Sequence, residues 1–220
     1  MIWAAFKLSL LVVSVATVVI AVVGTALGFL LAKRQFRGKE FLDSLLTLPM
    51  VLPPTVTGYY LIMLLGRRGL LGKYLYSLTG WTMTFTWEGA ALAASIVAMP
   101  LMIKSARAAI ESVDSRYEMV SLTFGKSELE TFFRVTLPLA FRGILAGIVL
   151  SFARALGEFG ATLMVAGNIP GRTQTMPLAI FQAVISGKDR QALMLALILT
   201  ATSVVVIYLT NVLTRARKTA

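Results

Sequence analysis

Long uncharged apolar runs, separated by short stretches that collect the charges, set the order of this chain. Residues 8–32 contain 25 positions without a charge, which a helix would extend to about 37 Å at ~1.5 Å per residue. That is enough to cross a bilayer with some tilt. Trp3 and Phe6 precede the run as candidate interface anchors. Gly24 and Gly28 form one GxxxG spacing, which either lets another helix approach closely or reflects the ordinary frequency of glycine in such helices. A second run, 41–65, carries Pro49, Pro53 and Pro54; with three backbone donors missing it must be broken or kinked. A third, 89–103, is short between Glu88 and Lys104 and broken near its end by Pro100; it is expected to borrow length by continuing helically through Arg107 to Ile110, with the long basic side chains snorkelling. The fourth and fifth runs are 143–166 and 191–213, with Arg215, Arg217 and Lys218 as a basic stop. Residues 66–88 are expected to form a short ordered cap at the membrane surface. Residues 168–189 are expected to form an outer loop with a short helix that dips into the bilayer.

Polar groups inside these runs are the first functional candidates. Carbonyls freed by proline at membrane depth are tolerated only beside protein or a water-filled cavity. Residues 48–57 are therefore candidates for pathway-lining backbone, with Pro53 and Pro54 at the break and Thr55 and Thr57 facing a conduit; a packed structural kink is the alternative. In the fourth run Arg154 and Glu158 stand i, i+4 apart, where one helix face would let them neutralise each other. The pair is either a structural neutralisation or functional: Arg154 faces a polar pathway used by an anion, or the pair holds the subunit interface or a gate. Structure or gating is preferred, because a fixed high-affinity charge would hold an anion that has to leave.

Between the third and fourth runs lies the longest stretch that mixes acids and bases, DSRYEMVSLTFGKSELETFFRVTLP at 114–138. Ser115 precedes Glu118 by three residues and Ser127 precedes Glu130 by three, the spacing of two capping boxes. Gly125 stands where a left-handed residue would end the first helix, and Pro138 is expected shortly after the last turn of the second. Leu129, Phe132, Phe133 and Leu137 recur at helical spacing, with Lys126, Glu128, Glu130 and Arg134 mostly off that face. An amphipathic helix-turn-helix results, which reads as a docking element for a partner protein or as a helix lying on lipid headgroups.

Composition restricts what remains. At 57% hydrophobic and 14% charged residues, with a mean hydropathy of +0.81, the chain is an integral membrane protein. Its net charge of +11 is scattered between apolar runs rather than set on a basic face with interleaved aromatics, so nucleic acid is not the expected partner. With no cysteine and no histidine, disulfides, thiolate metal sites and Ser-His catalysis are excluded. The first run is too long for a secretory signal core and lacks an A-x-A type site, so it is expected to be retained. No GxxxxGK[ST] phosphate loop is present, so energy from ATP would have to come through another chain.

Charge also orients the spans. Lys33, Arg34, Arg37, Lys39, the six basic residues from 104 to 142, and Arg215, Arg217 and Lys218 make thirteen on one side; Lys7, Arg67, Arg68, Lys73, Arg172, Lys188 and Arg190 make seven on the other. The positive-inside rule then places the N-terminus outside and the C-terminus, with the helix-turn-helix, in the cytoplasm.

Glu118, Val120 and Ser121 at the usual alanine positions, Gly125 seven after the glutamate, then Val135, Leu137 and Pro138 resemble the EAA loop of ABC importer permeases. Val120 and Ser121 depart from the pattern but keep small-to-medium side chains. Three further stretches resemble the molybdate branch of that family: LPMVLPPTVTGYYL at 48–61, FARALGEFGAT at 152–162 and NIPGRTQTMP at 168–177. The similarity covers nearly the whole chain, and sulfate permeases carry similar runs. The resemblance implies an all-α, type I ABC importer permease fold of about five spans in a single permease domain, 1–220. It implies an ATPase-coupling role for Glu118, Val120, Ser121, Gly125, Phe132, Phe133, Leu137 and Pro138. Pathway or gate candidates are Pro53, Pro54, Thr55, Thr57, Arg154, Glu158 and Thr162. Implied partners are a second copy in a homodimer, two cytoplasmic ATPase subunits that hold ATP and Mg, and one extracytoplasmic oxyanion-binding protein. The implied activity is uptake of molybdate, with tungstate, or alternatively sulfate or thiosulfate, across the inner membrane. No cofactor is implied on this chain. A secondary transporter or channel working alone is the other class, disfavoured by the short chain and the lack of an inverted repeat or intramembrane acid array.

Overall fold

The computed structural model describes residues 2–214, with side chains as far as Tyr208, so the basic stop at Arg215, Arg217 and Lys218 lies outside the described residues. Helices α1 (Ile2–Lys33), α5 (Trp87–Glu111) and α8 (Leu137–Leu156) form the centre. Their shared core contains Val13, Ala16 and Ile20 of α1, Ala94, Ala98, Met102 and Ala106 of α5, and Ala140, Ile144 and Ala155 of α8. Alanine dominates the α5 contribution, and small side chains are what allow helix backbones to approach closely in a membrane. Gly24 and Gly28 belong to the same interface. A methyl at Gly24 would fall 2.5 Å from Met102 Cγ, and one at Gly28 would fall 2.8 Å from Ala106 Cβ and 3.1 Å from the Ile103 carbonyl. The GxxxG spacing is therefore a contact surface. Val15, Val18, Val22 and Val23 on the outer side of α1, and Leu193, Leu197 and Val204 of α11 (Asp189–Thr214), are exposed, as lipid-facing positions are.

The second run is broken as expected: α2 (Lys39–Val51) and α3 (Pro54–Leu65) meet at 117°. Among the described residues four helical segments are long and apolar enough to span, and there are five if the bent pair is one span. The surface cap at 66–88 contains α4 (Gly72–Thr79). In the stretch 168–189, α10 (Met176–Ile185) has ten residues, about 15 Å of helix and too short to cross. Its first N–H, on Met176, donates to the buried Ser9 Oγ of α1 at 2.7 Å.

Several expectations are corrected. The third span continues helically past Pro100 through Arg107 and Ile110 as expected, α5 ending at Glu111, but Pro100 does not break it, because one missing hydrogen bond is tolerated where neighbouring helices pack around the gap. Lys104 and Arg107 do not snorkel freely. Their cationic groups meet Asp43 of α2 at 2.7 and 3.0 Å, and Arg107 also meets Glu111 at 2.8 Å. The fourth run is not one helix: α8 stops at Leu156, and α9 (Gly160–Ala166) begins after a three-residue elbow. Nor does a helix end at Pro138. From α7 (Glu128–Thr131) the chain passes through a π turn at Phe132–Thr136 directly into α8. In that turn the Leu137 N–H reaches back to the Phe132 carbonyl, and the wider turn admits a proline in the first positions of α8.

Candidate functional site

Two places gather the polar residues, one at the end of the bundle that carries Lys33 and Glu111, the other at the paired breaks in the spans. At the first, α6 (Ser115–Thr123) starts from Asp114, whose carboxylate accepts the Arg116 N–H at 2.9 Å. Asp114 rather than Ser115 is the cap, since Ser115 is already the first helical residue. This frees Glu118 from the expected capping box. Its Oε2 meets Lys33 Nζ of α1 at 2.7 Å, and its Oε1 accepts from Thr136 Oγ1 in the π turn at 2.6 Å. The second box is half right: Ser127 Oγ accepts the Glu130 N–H at 3.2 Å, while the Glu130 carboxylate turns outward to Lys126 and Arg134. Gly125 ends α6 at φ 75°, with open space where a Cβ would stand, so backbone conformation alone asks for glycine there.

No residue of α6 is buried. Tyr117, Met119, Val120 and Leu122 are exposed, and Phe124 beyond them is 80% exposed. Leu129 of α7 and Phe133 of the π turn are also exposed, whereas Phe132 turns in to meet the Phe29 ring at 4.5 Å. Leu137 packs on the central core, and Pro138 is exposed. Ser121 and Thr131 share a hydroxyl hydrogen bond of 2.8 Å that closes the helix pair. Arg34 and Glu128 form a further ion pair. A cleft of about 180 Å³ lies among Phe29, Lys33, Glu118, Leu122, Phe132 and Thr136. Lys33 and Thr136 are not legible in the sequence as site residues. The first reads there only as a topology charge, and it lies 85 positions from its partner.

At the second place, the α2–α3 break and the α8–α9 elbow are packed together. A methyl at Gly160 would stand 3.1 Å from Pro54 Cβ and 3.2 Å from the Thr55 nitrogen, so α9 begins against the start of α3. Arg154 meets Glu158 at 2.8 Å, but not on one helix face: Glu158 sits beyond the end of α8. Its other oxygen accepts the Ala161 N–H at 2.8 Å. One carboxylate thus neutralises the arginine and caps the next helix. The Glu158 side chain is 1% exposed and that of Arg154 36%. Thr162 is buried and donates to the Phe159 carbonyl at 2.9 Å. Pro53 and Thr55 are exposed; Thr57 is buried, and its hydroxyl lacks a hydrogen-bond partner. Among the described residues no cluster of acidic or other ligating side chains could hold a metal ion.

A junction of two broken spans and an exposed apolar helix pair at one end of the bundle are thus the two polar or uncovered features among the described residues. The chain belongs to the family of binding-protein-dependent transport system inner membrane components, whose model matches residues 24–219. It is 47% identical over 179 residues to the Escherichia coli K12 molybdenum transport system permease protein ModB, covering 81% of this chain and 78% of that one. To a putative molybdenum transport system permease protein of Bacillus subtilis it is 42% identical, covering 84% and 82%. A Synechococcus elongatus sulfate transport system permease protein is 39% identical, covering 81% and 62%. Among solved structures, a bacterial ABC transporter that imports alginate matches with a TM-score of 0.78 at 14% identity, over 99% of this chain and 79% of that one. The inward-facing MetNI methionine ABC transporter matches at 0.70 and 11%, over 97% and 93%. The fold is that of a type I ABC importer permease in the inner membrane.

Proposed function

We propose that this chain is the permease subunit of an ATP-driven molybdate importer that also carries tungstate, the two tetrahedral anions being nearly alike in size and charge. Two copies form the pathway as a homodimer, each a single permease domain with a coupling loop at about 114–138. An extracytoplasmic binding protein delivers the anion, and two cytoplasmic ATPases supply ATP and Mg. The observation that carries this reading is α6 itself, a capped helix with no buried residue that presents Tyr117, Met119, Val120 and Leu122 outward. An apolar helix face left uncovered outside the bilayer fits a groove on a partner protein. Glu118, Ser121, Gly125, Phe132, Leu137 and Pro138 then hold the element in place, and Val120 and Phe133 belong to its docking face. The excess of basic residues at this end supports its placement in the cytoplasm, with the N-terminus outside. The two molybdenum permease relatives support the substrate, and the sulfate relative makes sulfate the competing assignment.

Closure of the ATPases would press on α6 of each copy and rock the spans about their centres, opening the pathway to one side and then the other. At the junction of the breaks, Pro53, Pro54, Thr55, Thr57, Arg154, Glu158 and Thr162 are the proposed gate. Copurification with the ATPase, followed by uptake of radiolabelled molybdate into vesicles containing the cognate binding protein, tests the proposal. Uptake should be ATP-dependent and suppressed by excess tungstate. Sulfate uptake indifferent to excess molybdate would overturn the substrate, and uptake without any associated ATPase would overturn the class.

A further inference from the structure

We infer that Lys33 and Thr136 are positioning residues of energy coupling, which grip α6 by the two oxygens of Glu118 and deliver its movement at once to α1 and to the root of α8. The inference rests on the reading of α6 as the ATPase-docking helix. With no buried residue, α6 has little apolar packing to hold it against the bundle. What ties it inward is polar: Glu118 Oε2 to Lys33 at 2.7 Å, Glu118 Oε1 to Thr136 at 2.6 Å, and Ser121 to Thr131 at 2.8 Å. The Lys33 and Glu118 side chains are only 25% and 16% exposed, so solvent screens their attraction less than that of a surface pair. Both carboxylate oxygens are engaged within the chain, and Glu118 accordingly acts inside the permease while the apolar side chains face the partner.

The two receiving ends are stiff. Lys33 is the last residue of α1, whose Gly24 and Gly28 lie against α5 without room for a methyl. Thr136 is fully buried and lies where the π turn enters α8. Phe132 on Phe29 and the Arg34–Glu128 pair flank the same cleft. A displacement of α6 is therefore shared between the central helices α1 and α8, and through α8 it reaches the Arg154–Glu158 elbow.

The test uses the permease–ATPase complex in vesicles with the binding protein, comparing Lys33→Met, Thr136→Val and the exchange Lys33→Glu/Glu118→Lys with the unaltered protein. The reading is radiolabelled molybdate transported per ATP hydrolysed, a ratio that a loss of folded protein alone would not change. Lys33→Met and Thr136→Val should each assemble and lower the ratio by about ten- to a hundredfold, the range that corresponds to one charge-assisted contact. The exchange should recover most of the loss from Lys33→Met. An unchanged ratio in both single variants overturns the inference, as does an exchange no better than Lys33→Met. Failure of both single variants to assemble with the ATPase would also overturn it, making the brace a requirement for assembly. An unaltered chain that does not bind an ATPase would instead remove the functional reading beneath it.

Discussion

The Arg154–Glu158 pair should respond very differently to loss of its two members. In Arg154→Gln the Glu158 carboxylate, 1% exposed, loses its counter-charge and keeps only the Ala161 N–H. Breaking a buried pair from this side costs about 3 to 5 kcal/mol, and the partial exposure of Arg154 puts the expected value near the lower end. In Glu158→Gln the amide oxygen can still accept the Ala161 N–H, and the guanidinium, 36% exposed, is free to turn out of the packed elbow toward the proposed pathway; where that pathway holds water, a pair lost in that way costs about 1 kcal/mol. The difference of about 2 kcal/mol is roughly 30-fold in folded population. The double variant buries no charge and should lie close to Glu158→Gln. Unfolding of the purified chain by SDS titration in mixed micelles would measure all four corners of the cycle. Equal costs for the single variants, or a greater cost for Glu158→Gln, would refute the burial argument. A double variant that equals the sum of the singles would show that the two charges do not interact.

At Gly125 the strain is purely conformational, with nothing within 4 Å of a prospective Cβ. Gly125→Asn should therefore be nearly silent, whereas Gly125→Val should cost about 1 to 2 kcal/mol and weaken ATPase copurification while leaving the permease inserted. Both effects are read from one affinity purification followed by a melting curve. Gly24→Ala and Gly28→Ala should both destabilise, because the added methyl meets Met102 Cγ and Cβ at 2.5 and 2.9 Å at Gly24, and Ala106 Cβ and the backbone of Ile103 and Arg107 at 2.8, 3.1 and 3.1 Å at Gly28. A cost of about 1 to 3 kcal/mol is expected for Gly28→Ala, and the same SDS titration would detect it.

Features that depend on neighbours along the chain are legible in the sequence. Apolar runs place the spans because a bilayer demands about 20 apolar residues per helix. The prolines at 53 and 54 require a break because they lack N–H groups, and Gly125 ends α6 because a left-handed backbone penalises a Cβ. The family resemblance is legible in the same local motifs. Partner choice is not. Glu118 has a plausible cap three residues away, yet its carboxylate meets Lys33 and Thr136, 85 and 18 positions distant. Spacing suggests Arg154 and Glu158 on one helix, whereas the structure ends α8 between them and lets Glu158 start α9. Periodicity carries which backbone can be helical and which face is apolar. Which oxygen meets which donor depends on how α1, α5 and α8 pack, and that is decided only when the helices close on one another.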